Sequence, residues 1–284
     1  VGYQALDANT TASNNTAVGY LALTANTTGA ENTSLGGRSL EANTTASYNT
    51  AIGYASLFTN TTGAQNTALG RTALYTNNAD DNTALGYNAM YSNTTGDAQV
   101  AVGSFALDAN TTGQYNTAVG NHALGANTSA SSNTAVGQAA LFYNSTGATN
   151  TAVGRDALHF NTTASNNVAV GFNALKANTT GTSNTAVGTN ALTTLTTSNN
   201  CTAVGKDALK VNTAANSTAV GMGALESNTT GANNTALGFG ALTANTTADS
   251  NTACGRQSGQ NVTTGSDNAF FGYNSGDEVT TGGS

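Results

Sequence analysis

The sequence predicts an all-β fold, a parallel β-solenoid or β-roll of about 16 stacked 17-residue coils, packed into a homotrimeric fibre. Three observations carry that expectation. A glycine recurs at Gly2, Gly19, Gly36, Gly53 and Gly70 and on to Gly255 and Gly272, always 17 residues apart except for two intervals, Gly70–Gly86 and Gly205–Gly221, each one residue shorter. Between the glycines runs one motif, Asn-Thr-Ala-Val-Gly-x-x-Ala-Leu-x-x-Asn-Thr-Thr-Gly-x-x, of which Asn15 to Glu31 is a clean copy. Each copy is too short for helical amphipathicity, and its β-branched residues are bounded by turn formers.

The seventeen positions, numbered here as slots 1 to 17 from the first Asn, have distinct chemistry. Slot 4 is aliphatic, as Val18, Leu35, Ile52 and Leu69, and is expected to face the core. Slot 9 is Leu in most copies, with Met90 an exception, and slot 8 is small, as Ala22, Ser39 and Ser56. Two extended stretches, Thr-Ala-Val-Gly and Ala-Leu, are expected in each coil. The Asn-Thr-Thr-Gly segment between them reads as a turn, because Asn and Gly tolerate positive φ. Stacking identical coils aligns identical residues, so Asn side chains are expected to hydrogen-bond from rung to rung.

Composition narrows the function. Only 7% of residues are charged, there is no Pro or Trp, and the net charge of −7 is spread thinly. Regular Val, Leu and Thr distinguish this from a disordered composition. Without a basic patch, nucleic acid is not an expected partner. No apolar run reaches membrane-spanning length. The chain opens at Val1-Gly2-Tyr3 and closes at Gly282-Gly283-Ser284, both inside the repeat pattern, so a segment of a longer protein is expected. Cys254 takes a slot normally held by Val and Cys201 a slot normally held by Asn. About three coils separate them, too far for a disulfide.

Each coil carries only two large aliphatic side chains. Association of identical chains would let one aliphatic row pack inside each coil and the other around a shared axis, and a homotrimer is expected on that ground. A thin monomeric solenoid is the competing architecture, and exposed coil ends leave stacking into a filament open. At roughly 4.8 Å per rung the array predicts a rod on the order of 80 Å.

The Asn-Thr-Ala-Val-Gly core, as at Asn116–Gly120 and Asn49–Gly53, resembles the head repeats of trimeric autotransporter adhesins of the YadA-like kind. The alternation with Asn-Thr-Thr-Gly is also similar to repeat arrays in tail-fibre-like surface proteins of bacteria and phages. This resemblance implies a left-handed β-roll, three chains to a head, and a long extracellular fibre at a cell surface or on a virion. It also implies partners among host matrix, surface glycans or other cells.

Residues 1–250 form the uniform array and 251–284 a variant class, in which slots 8 and 9 become Ser258-Gly259 and Ser275-Gly276, slot 12 becomes Val262 and Val279, and slot 4 becomes Phe271. Bulk is expected to move from one corner of the core to another, at a transition or a cap.

Candidate functional residues fall in the variable slots and the turn. Tyr20, Tyr54 and Tyr87 in slot 6 form a possible surface contact row, for stacking on sugars or for filling grooves between chains. Sequons place candidate N-glycosylation at Asn9, Asn26, Asn43, Asn60, Asn93, Asn110, Asn127, Asn144, Asn161, Asn178, Asn228 and Asn245, all in slot 12 at an expected surface turn, with turn and ladder chemistry as the bland alternative. Further sequons stand at Asn14, Asn32, Asn200, Asn216, Asn233 and Asn261. Rows of Thr after the slot 12 Asn raise an ice-binding face. His122 and His159 have no acidic or nucleophilic companions at a recurring spacing, Asp80-Asp81 reads as a solvated acidic pair, and no phosphate loop is present. The expected function is an extracellular structural fibre segment that extends and presents a binding surface. A glycosylated self-assembling filament and an ice- or glycan-binding solenoid are the alternatives. No enzyme activity, metal or cofactor is expected.

Overall fold

The computed structural model describes residues 1–281 of the 284, so residues 282–284 of the variant segment lie outside the described residues. The chain divides into two compact units, Val1–Thr146 and the residues from Gly147 on. Each is a parallel β-solenoid. Every coil contributes one three-residue strand at slots 2 to 4, from Thr16–Val18 to Thr134–Val136 in the first unit and from Thr151–Val153 to Ala269–Phe271 in the second. Within each unit each strand pairs with the next in parallel and in register, as Thr16 with Thr33, Ala17 with Ser34 and Val18 with Leu35. Among the described residues there is no helix.

Strand alternation decides what enters the core. In the Thr-Ala-Val strand slot 3 points inward and slots 2 and 4 point outward. The Ala of slot 3, the small residue of slot 8 and the Leu of slot 9 fill the interior: Ala118, Ala123 and Leu124 are fully buried. The aliphatic side chain of slot 4, expected in the core, is instead on the outside, with Val18 39% and Leu35 46% exposed. With Leu already spanning a narrow coil, alternation leaves room for Ala and turns its neighbours out. Cys254, in the same slot, is likewise exposed rather than a core residue, while Cys201 in slot 1 is buried, and both are free thiols.

The expected second strand is absent as well. The Ala-Leu stretch is a turn in which slots 7 and 9 take positive φ, 54° at both Leu21 and Leu23. That conformation is costly for a bulky L-residue. It aims the Leu inward and lets its N–H donate to the next coil, as Leu23 does to the Ser39 carbonyl at 3.0 Å. Slot 17 also has positive φ, as at Asn14, whereas among the described residues the Asn of slot 12 and the Gly of slot 15 do not. The expectation of positive φ in Asn-Thr-Thr-Gly was therefore misplaced. The glycine ruler of slot 5 has a double cause. Gly53 sits at φ 129°, and a Cβ there would lie 2.6 Å from the carbonyl oxygen of Gly70 in the next coil.

The variant end moves bulk between corners, but through Phe270 in slot 3 rather than Phe271. Phe270 is 7% exposed and Phe271 68%. Its ring fills the space that Leu of slot 9 vacates: a Cβ on Gly259 would lie 2.8 Å from Phe270 Cδ2, and a Cβ on Gly276 would also strike the ring. Phe270→Ala is expected to cost about 3–5 kcal/mol. Gly259→Leu, harmful alone, should recover part of that loss in the Phe270→Ala background. Urea unfolding of the two single variants and the double would check the coupling.

Candidate functional site: the asparagine core and the outer faces

The interior of each coil is polar along one side. In slot 12, an Asn that follows another Asn one coil earlier donates from Nδ2 to that residue's Oδ1 and to the carbonyl of slot 15 in its own coil. Asn43 makes these bonds to Asn26 at 2.9 Å and to Ala46 at 3.1 Å. In slot 1, each Asn accepts on Oδ1 the backbone N–H of slot 1 in the next coil and donates from Nδ2 to a slot 15 carbonyl. Asn32 accepts from Asn49 N at 3.0 Å and donates to Ala46 O at 2.9 Å. One slot 15 carbonyl thus receives donors from both ladders.

The sequon residues of slot 12 are therefore interior, not a surface turn. Asn26, Asn43, Asn60, Asn93, Asn110, Asn127, Asn144, Asn161, Asn178, Asn228 and Asn245 are fully buried, and Asn9, in the first coil, is half-buried. A glycan on Nδ2 would have to replace a buried hydrogen bond and pass through the coil wall, so in the folded coil these amides serve as ladder rungs. Asn32 is buried too, while Asn14, Asn200, Asn216, Asn233 and Asn261 are exposed.

The Thr of slot 13 is engaged along the stack. Thr94 Oγ1 donates to Thr111 O at 2.8 Å, and Thr229 Oγ1 to Thr246 O at 2.8 Å. Slot 2 differs: its Thr hydroxyls make no hydrogen bond among the described residues. Together slots 2 and 4 give each unit an outer strip of Thr and aliphatic side chains without a charged residue.

Slots 6, 7 and 10 form another outer face. Tyr20, Tyr54 and Tyr87 are exposed there. Tyr20 stacks on Tyr3 at 5.6 Å, and Tyr87 meets Phe105 edge-on at 5.2 Å. Phe58, Tyr75 and Tyr91 in slot 10 stack successively at 5.0 Å, with the Arg38 guanidinium 4.6 Å above Phe58. Much of the ring surface is thus spent on neighbouring rings. His122 stacks on Phe105 at 4.9 Å. His159, expected to lack an acidic companion, has Asp156 3.6 Å away, with Lys176 Nζ also 3.6 Å from that carboxylate. The reason is that slots 7 and 10 face one another across the turn, which also pairs Arg38 with Glu41 and Asp207 with Lys210. Sequence reading missed this pairing, although its signal, opposite charges three residues apart, was visible.

Asp80 is built into the short coil: Oδ1 accepts the Ala64 N–H at 2.7 Å. Burial pushes the Cys201 thiol above its ordinary pKa. No helix among the described residues is long and apolar enough to cross a membrane. No family model matches the chain, and no curated protein is found similar to it.

Asn43→Ala removes two donors from the buried network and leaves Asn60 Nδ2 short of an acceptor. A loss of about 1–3 kcal/mol or more is expected by thermal or urea unfolding, whereas Asn121→Ala, on the outer face, should change stability by under about 0.5 kcal/mol. Expressed through a eukaryotic secretory route, the folded chain should carry glycans at the exposed Asn14, Asn200, Asn216, Asn233 and Asn261 and none at buried slot 12. Site-by-site occupancy by mass spectrometry reads this directly.

Proposed function

We propose that the chain is a structural segment of an extracellular fibre, the shaft of an adhesin, appendage or tail fibre, which extends and presents binding surfaces and works as a homotrimer. One observation carries the reading: in most coils an uncharged aliphatic side chain of slot 4 stands half-exposed or exposed beside the Thr of slot 2. Repeated in register, these side chains make a contiguous apolar strip in each unit, and such strips mark association surfaces. A coil whose interior holds mainly Ala, Leu and Asn gains apolar burial when that strip is covered by identical chains. Sparse charge and the absence of Pro suit a long, continuous β assembly. Surface glycans or matrix are the partners this reading implies, met by the variable slots 6, 7 and 10.

A second reading draws on the same strip. Its slot 2 hydroxyls are free of coil-to-coil bonds, unlike those of slot 13, so an ice-binding face fits slots 2 and 4 better than the Thr pair of the turn.

Sedimentation equilibrium decides between them. The chain is expected to sediment as a trimer, and Leu69→Lys with Leu85→Lys is expected to reduce the mass toward that of a monomer while the circular dichroism spectrum is retained. A monomeric parent chain would overturn the trimer, and a monomer that produced thermal hysteresis would establish the second reading.

A further inference from the structure

Glycine interrupts the outer face of slots 6, 7 and 10 singly at Gly37 in slot 6 and Gly125 in slot 10, and in neighbouring coils in slot 7. Slot 7 bears a side chain in coil after coil, but in two successive coils of the second unit it is Gly223 and Gly240. Their φ values, 65° and 62°, do not demand glycine, because Thr72, Phe105 and His122 hold the same slot at 57°, 58° and 57°. Nor does crowding demand it. A Cβ on Gly223 would meet only Glu226 Oε2, at 3.3 Å, and one on Gly240 would meet Thr243 Oγ1 at 3.2 Å and Gln257 Cγ at 3.6 Å. The missing side chains open a trough of about 220 Å³.

Its walls have different chemistry. On the slot 6 side are the exposed Met222 and the ring of Phe239. The Arg256 guanidinium lies 5.7 Å from the Phe239 ring centroid, which helps hold the ring in place. On the slot 10 side are Glu226, Thr243 and Gln260, and Lys206, Asp207 and Gln257 also line the trough. Lys210 Nζ sits 3.4 Å from Asp207 and 3.5 Å from Glu226, and Lys206 Nζ is 3.8 Å from Asp207. Asp207 Oδ1 also accepts Asn190 Nδ2 at 3.1 Å, so Asp207 is engaged by its neighbours. Glu226 Oε2, the atom nearest a Cβ on Gly223, keeps its acceptor capacity, and the two lysines balance the two carboxylates.

We propose that this trough binds a single neutral pyranose ring. An aromatic face opposite a row of acceptors and amide donors matches a sugar, whose C–H face is apolar and whose hydroxyls both donate and accept. The charge balance selects an uncharged ring over an acidic one, and the volume admits one ring. The site lies within one chain and stands whether or not the chain trimerises.

The test uses the full chain, isotope-labelled and titrated with the methyl pyranosides of glucose, galactose, mannose and N-acetylglucosamine, with the Gly223 and Gly240 amide signals followed by NMR. At least one should give saturable shifts at these two amides in the millimolar range. Gly223→Asn with Gly240→Asn refills the trough with a residue that slot 7 already carries at Asn173 and Asn190. It should weaken binding by roughly tenfold or more without lowering the melting temperature. Phe239→Ala should weaken it similarly. The proposal is overturned if none of the four glycosides shifts these amides, if the Asn variant binds equally well, or if only a sialoside binds.

Discussion

The slot 15 carbonyl oxygen is where the structure is tied together. Gly63 O receives Asn49 Nδ2 at 2.9 Å and Asn60 Nδ2 at 2.8 Å, so the beginning and end of the coil motif converge on one acceptor. Burying an amide is unfavourable unless its donors and acceptor are all met. Here they are met only when coils stack in register, because each Asn Oδ1 depends on a donor from the next coil. The requirement shows where it fails. Asn178 and Asn245 have buried Oδ1 atoms without a partner, and in each case the slot 12 residue one coil later is apolar, Leu195 or Val262. Slot 1 also changes after Leu195, to Cys201, whose thiol stays in the polar network by donating to Ala214 O at 3.2 Å.

Giving one side of the coil to amides fixes what remains for apolar side chains. The interior accepts one Leu and two small residues. Where two hydroxyls enter instead, they enter as a pair: Ser34 Oγ donates to the Ser39 carbonyl at 2.9 Å, and Ser39 Oγ to that of Gly36 at 2.9 Å. Where Phe270 enters, Leu leaves. The core is thus conserved in volume within each pair of neighbouring coils, as close packing requires. Its narrowness also explains why slot 4, the second-largest regular side chain, stands outside.

Much of this was legible in the sequence. The glycine period fixed the coil length, and identical neighbours predicted in-register stacking and Asn-to-Asn bonds. The missing bulk at Gly259 and Gly276 signalled a repacked core. Three features were hidden. A three-residue strand is too short to reveal a period of two, so the size of Val18 was mistaken for burial. Leu23 at positive φ runs against its intrinsic preference and persists because tertiary contacts override it. The sequons of Asn26 and its equivalents read as surface because Asn is usually exposed; only a repeating ladder satisfies so many buried amides. The trough had a signal, glycine twice in slot 7, but its meaning depended on knowing that slot 7 accepts side chains at positive φ.

The two shortened coils show which part of the repeat is free to change. In both, the missing residue falls between the Asn of slot 12 and the slot 15 carbonyl, as in Asn77-Asn78-Ala79 and Asn212-Thr213-Ala214. The ladder bond survives, with Asn77 Nδ2 to Ala79 O at 2.8 Å and Asn212 Nδ2 to Ala214 O at 2.7 Å. In the first, Asn78 Oδ1 accepts the Thr61 N–H at 2.8 Å, where a backbone carbonyl usually serves. Strand register passes undisturbed across both coils, Thr67 opposite Thr83 and Thr202 opposite Thr218. A deletion inside the strand at slots 2 to 4 would instead shift its alternation and turn Ala outward. Slots 6, 7 and 10 are thereby held in step from coil to coil, while their side chains contribute little to the core. Such a face can change its chemistry residue by residue at little structural cost, which is the physical basis for seeking recognition there.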